Sequence, residues 1–118
     1  MASQKYKVWY SDDTSKIFEF NDDYVNLKRI RELIGERCRI AQGLPGTEYN
    51  MWCDEECKLY NDWQENINME ATQQWQDSAA HHMGWEWLMD HYGGFIWNMD
   101  VAVGTIVEVL EGDWEDDE

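Results

Sequence analysis

Cys53 and Cys57 stand four residues apart, and His81, His82 and His91 follow within forty residues. Thiolate and imidazole are the ligands of a tetrahedral zinc site, but the spacing argues against one. His81 and His82 are neighbours that point in different directions on a helix, whereas histidines three to five residues apart converge on one ion. The expectation is no metal and no cofactor, with buried cysteines and surface histidines. Carboxylates are far more plentiful, at 25 Asp and Glu, and Asp62, Glu65, Glu70, Asp77, Glu86 and Asp90 recur through the second half of the chain. A two-acid glycosidase would need one of them in an apolar pocket, and a larger cleft than 118 residues usually supply. Glycine-rich nucleotide loops, His-Glu-x-x-His, Gly-x-Ser-x-Gly and EF-hand loops are all missing from the sequence, so the chain is expected not to be an enzyme.

Tryptophan supplies the other concentration of chemistry. Trp75, Trp85, Trp87 and Trp97 fall within twenty-three residues, together with Met83, Met89, Tyr92, Phe95 and Met99. Such side chains either build the core of a domain poor in Leu and Ile or, where exposed, anchor a protein partner. Trp85 and Trp87 are the candidate anchors. Stacking on single-stranded nucleic acid would need interleaved cations, and residues 59–118 contain neither Lys nor Arg.

The elements that must position these groups follow from periodicity and turn chemistry. Residues Lys5–Tyr10 and Lys16–Phe20 flank the turn-rich Ser11–Ser15 and predict an opening hairpin. Asn21, Asp22 or Asp23 can cap a helix from about Tyr24 to Ile34, with Leu27, Ile30, Leu33 and Ile34 inward and Gly35 at its end. Alternation over Glu36–Ala41 predicts a strand, broken by Gly43-Leu44-Pro45-Gly46. A second hairpin is expected from Glu48–Cys53 and Cys57–Tyr60. Asn68 caps a helix with Met69, Thr72, Trp75 or Gln76, and Ala79 on one face, ending near Gly84. A short helical turn at Trp85–Met89 follows, closed by Gly93-Gly94, and then strands at Phe95–Trp97 and Val101–Leu110, the second interrupted by Gly104. The order predicts one α+β domain over residues 1–110, mainly an antiparallel sheet from hairpins packed by two or three helices. Residues 76–99 read as a Trp/Met-rich insert, and residues 111–118, six of them acidic, as a solvated tail.

Charge divides the chain unevenly. Residues 1–41 hold eight cations against seven carboxylates, whereas residues 42–118 hold eighteen carboxylates against Lys58 alone, a net −17. That sign argues against direct nucleic-acid binding. The opening MASQKYKVWY has neither the apolar stretch of a signal peptide nor the character of a transit peptide, and no apolar run is long enough to span a membrane. Three cysteines leave at least one unpaired, which fits reduced thiols and a cytoplasmic setting.

Three separated pieces carry a family likeness. The first is an opening strand pair followed by a helix ending in Leu33-Ile34-Gly35 and a strand. In the middle stand Asp54-Glu55-Glu56-Cys57-Lys58-Leu59 and Asn68-Met69-Glu70-Ala71-Thr72, and near the end Asp100-Val101-Ala102-Val103-Gly104-Thr105-Ile106-Val107. Over roughly residues 5–110, and in this order, they resemble domain-of-unknown-function family 3846, with its D-E-x-G-K-L hairpin, N-x-x-A-T helix start and D-x-I-V-G-T-V closing strand. Cys57 stands where that family usually has Gly, and residues 76–99 are longer and richer in Trp than its pattern. The resemblance implies an α+β domain encoded by a bacteriophage or plasmid, and it brings no catalytic residues.

Together, size, charge and resemblance lead to a functional expectation. Carboxylates at helix and strand spacing can imitate the phosphate array of DNA and occupy the cationic groove of a binding protein. The chain is therefore expected to inhibit a host nucleic-acid-binding or defence protein with a basic surface, in the host cytoplasm, through Asp62, Glu65, Glu70, Asp77, Glu86 and Asp90. The competing expectation is a non-catalytic interaction module that binds its partner through Trp85 and Trp87 of the insert.

Overall fold

A sharp hairpin opens the computed structural model, which describes residues 3–44, 46–47, 50–92 and 101–114. Strand β1 (Gln4–Trp9) pairs antiparallel with β2 (Ser15–Phe20), as the alternation around Ser11–Ser15 predicts. Helix α1 (Leu27–Ile34) follows, then β3 (Ala41–Gly43), β4 (Met51–Asp54), a single 3-10 turn (Trp63–Asn66), helix α2 (Met69–Tyr92) and β5 (Ile106–Glu111). The five strands form one antiparallel sheet in the order β2-β1-β5-β4-β3. The closing strand thus lies at the centre of an α+β domain.

The pleat sorts the core into two layers. Tyr6, Val8, Trp52 and Val107 face one side and bury Val25 and Ile30, with Leu33 and Ile34 of α1 packed against them. Met51, Cys53 and Ile106, their neighbours in sequence, face the other side and meet Ala71, Trp75 and Ala79 of α2. The alternation of Met51, Trp52 and Cys53 between layers is the period-2 pattern of a strand buried on both faces. Each fully buried large side chain, such as Ile30 or Met51, contributes about 1.5–3 kcal/mol of hydrophobic stabilisation.

Local capping agrees with the sequence at some positions and departs at others. Gly35, at φ 139°, ends α1 as expected, but the cap is Asn26, whose Oδ1 accepts from Arg29 N at 2.8 Å. Asp22, an expected cap, is held beside β1 instead, because the Gln4 amide clamps both its backbone N–H and its C=O, at 2.8 and 2.7 Å. No strand forms over residues 36–40, since the turns after Gly35 delay extended chain to β3. The second hairpin is accordingly β3 with β4, and Cys57–Tyr60 are turns rather than its return strand. In α2 the inward face is Ala71, Thr72, Trp75, Gln76 and Ala79, while Met69 is exposed.

Two glycines shape the α2 layer. At Gly84 (φ 81°) the helix breaks direction and then resumes to Tyr92, so the expected short turn after Gly84 is a second helical segment. The first part of the presumed insert is thus continuous with α2. Gly46 (φ 82°) carries the β3–β4 loop against the helix, where a Cβ would lie 3.0 Å from Ala79 Cβ and 3.3 Å from the Trp87 ring. Strand β5 begins only at Ile106, after Gly104, so the expected strand over Val101–Leu110 is shortened at its start. Residues 111–114, expected in a solvated tail, are exposed but attached: Val25 N donates to Asp113 O at 2.9 Å, and the Trp114 ring lies 5.5 Å from that of Trp52. The strand expected at Phe95–Trp97 and the glycines at 93 and 94 lie outside the described residues.

Candidate functional site

Helix α2 is fixed at its start by a buried polar knot. The Asn68 amide donates to Trp9 O and Gly104 O, both at 2.9 Å, while its Oδ1 accepts from Ala71 N at 3.1 Å. Thr72 Oγ1 donates to Asn68 O at 2.7 Å and accepts from Ala102 N at 2.8 Å. Three of these bonds join the helix start to β1 or to the chain entering β5, which sets the direction in which its outer face looks. Glu108, on the α2 side of the sheet, accepts from Trp9 Nε1 at 3.1 Å and from Gln74 Nε2 at 3.3 Å.

All six expected carboxylates are exposed. They form three pairs rather than one cluster. Asp62 and Glu65 belong to the 3-10 turn, closed by Glu65 N donating to Asp62 O at 3.0 Å. Glu70 and Asp77 share one stripe of α2 at two-turn spacing, with Gln73 Nε2 donating to Asp77 at 3.3 Å. Glu86 and Asp90 lie one turn apart beyond the Gly84 break. Among the described residues none of the six meets a cation at ion-pair distance.

Most of the cations are elsewhere and engaged. Arg29 forks onto Asp22 at 3.0 Å through both Nε and Nη2, reaches Glu32 at 3.1 Å and lies 3.9 Å from the Phe20 ring centre. The guanidinium holds the Asp22 carboxyl below its ordinary range. Arg39 forks onto Glu56, and Lys5 reaches Glu19 and Glu111 at 3.9 and 3.7 Å. Lys7 stands 3.8 Å over Trp9, Lys16 5.0 Å over Phe18 and Arg37 3.8 Å over Tyr60.

A second candidate region escaped the sequence reading. A cavity of about 330 Å³ is lined by Arg37, Cys38, Asp54, Cys57 and Tyr60. Asp54 is buried and accepts from Tyr60 Oη at 2.7 Å and from Glu56 N at 2.9 Å. Its hydrogen bond pushes the Tyr60 phenol up to about 12, so that proton stays in place. Among the described residues, no three His, Cys, Asp or Glu side chains are grouped to hold a metal ion. The His81 and His82 rings meet edge to face at 5.1 Å. The only sequence signal for this cavity is the polar run from Asp54 to Tyr60.

Trp75 is core, and Trp87 is half-buried against the α2 layer, turned toward Gly46 and Ala79. Part of the Trp87 ring is therefore packed against the fold, beside Gly46 of the β3–β4 loop. The side chain of Trp85 lies outside what the structure describes, as does Trp97. Among the described residues no helix is long and apolar enough to cross a membrane. No protein-family model matches the chain, nor does any curated protein or solved structure. The residues that carry the family resemblance occupy structural positions: Gly35 ends α1, Asn68 and Thr72 form the knot, and Gly104 N donates to Asn66 O at 2.7 Å.

Proposed function

We propose that this chain is a non-catalytic acidic protein of a phage or plasmid. In this reading it binds a basic, nucleic-acid-binding or defence protein of the host cytoplasm in competition with nucleic acid. One observation carries the reading: the cations lie before residue 59 and most are occupied by carboxylates or rings, while the 3-10 turn and α2 present carboxylates with no cation beside them. Self-repulsion of that kind opposes folding and attracts a cationic partner. Glu70 and Asp77 are about 10 Å apart along the axis, against about 1.7 Å per charge in duplex DNA. Imitation of DNA would thus require all three carboxylate pairs and the acidic C-terminus to act together.

The test is capture from a bacterial lysate by the immobilised full chain, with duplex DNA and salt as competitors. The expected result is retention of nucleic-acid-binding proteins, released by DNA and falling steeply above ~0.15 M salt, where screening acts beyond about 8 Å. Glu70→Lys, Asp77→Lys and Glu86→Lys should weaken retention progressively. Retention indifferent to salt, DNA and these substitutions but abolished by Trp85→Ala would overturn this reading in favour of the Trp-rich interaction module.

A further inference from the structure

The turn after β4 gathers thiols whose chemistry is independent of the acidic surface. Cys53 is buried in β4 and Cys57 is half-buried in the turn, which is closed by Cys57 N donating to Asp54 O at 3.0 Å. Cys53 belongs to the buried cluster on the α2 side of the sheet, and Cys57 packs against that cluster. Both line a cavity of about 330 Å³ together with Leu44, Lys58 and Trp75. Cys57 also opens onto the cavity lined by Arg37, Asp54 and Tyr60. A buried thiol and a more accessible one lining the same space for a small molecule is the arrangement of a resolving and an attacking sulfur.

We propose that Cys57 and Cys53 form a thiol–disulfide exchange site for low-molecular-weight disulfides, with Cys57 attacking and Cys53 resolving. The Cys57 thiolate attacks one sulfur of the small disulfide, breaking its S–S bond and expelling one thiolate. Cys53 then gives up its proton to that thiolate and attacks Cys57 Sγ, which breaks the mixed disulfide and expels the second thiolate. Two protein thiols are oxidised to one disulfide while the small disulfide is reduced to two thiols. The surroundings assign the roles. The neighbouring Cys53 thiol, then the Lys58 ammonium and the Lys58 N–H, lower the Cys57 thiol, whereas the neighbouring Cys57 and burial raise Cys53. Burial, and then Asp54, push Cys38 up to about 11, so it is a bystander.

The test uses the full chain as wild type, Cys53→Ser and Cys57→Ser, incubated with glutathione disulfide at neutral pH and read by intact mass and non-reducing peptide mapping. Wild type should lose two hydrogens and yield a peptide bridged between Cys53 and Cys57. Cys53→Ser should instead accumulate one glutathionyl group, on Cys57, and Cys57→Ser should remain unmodified at Cys53. Alkylation of the wild type by iodoacetamide gives a readout that needs no variant. There Cys57 should react fastest of the three thiols, with a pH midpoint below the ordinary thiol value of about 8.5. A first reaction at Cys38, no bridged peptide, or a Cys57 midpoint at or above the ordinary value would each overturn the assignment.

Discussion

Helices α1 and α2 pack on opposite faces of the same sheet, yet they handle charge in opposite ways. In eight residues α1 carries Lys28, Arg29, Arg31 and Glu32, and Arg29 is held by two carboxylates and a ring. In 24 residues α2 carries Glu70, Asp77, Glu86 and Asp90 with no Lys or Arg. What fixes α2 is neutral: the Asn68 and Thr72 hydrogen bonds and the Trp75 layer. A helix anchored by buried neutral contacts can leave its outer charges unbalanced, because exposed carboxylates in high dielectric repel only weakly. The α2 surface thus presents carboxylates alone, whereas on α1 the Glu32 carboxylate is already paired with Arg29.

The two helix caps offer the largest way to break this contrast. Asn68→Ala removes the cap and strands two backbone carbonyls, and should cost about 3–5 kcal/mol. Asn26→Ala, at the half-buried start of α1, should cost about 1 kcal/mol. Urea unfolding followed by Trp fluorescence checks both, and equal losses would show that α2 is not anchored by the knot.

Asp22→Asn probes the α1 side at smaller magnitude, about 1 kcal/mol for a forked pair that is partly exposed. Because Arg29 lowers the folded-state value of Asp22, its contribution is complete above about pH 4 and is lost as pH falls through that lowered value. The stability gap between wild type and Asp22→Asn should therefore close on acidification. A gap that persists at pH 2, or widens, would remove the ion pair from the account.

The smallest effect on stability is expected where the functional effect is largest. Glu70→Lys, Asp77→Lys and Glu86→Lys should each change unfolding free energy by less than about 0.5 kcal/mol. Combined, they should stabilise slightly at low salt, and the gain should vanish at high salt. A triple variant destabilised at low salt would mean that these carboxylates serve the fold rather than a partner.

Local signals were legible where a few neighbouring residues settle the outcome. The β1–β2 hairpin, the Gly35 stop, the Asn68 cap and the break at Gly84 all lie within one turn of the residues that cause them. The α1 cap was not legible, because Gln4, eighteen residues upstream, takes the backbone of Asp22 and leaves the cap to Asn26. The partner of β4 was missed for a similar reason. Three residues of β3 carry too little pattern to announce a strand, and the other partner of β4 is β5, more than fifty residues downstream.

For the candidate sites, composition alone determined that residues 59–118 are devoid of Lys and Arg, and helical periodicity placed Glu70 and Asp77 on one stripe. Neither depends on distant contacts: net charge is additive, and a helix repeats every 3.6 residues. Only the tertiary structure decided that Trp87 lies against Gly46 and that Cys53 and Cys57 line one cavity. Those outcomes follow from which segments pack together, and packing is selected by the burial of the whole sheet on both faces rather than by any local preference.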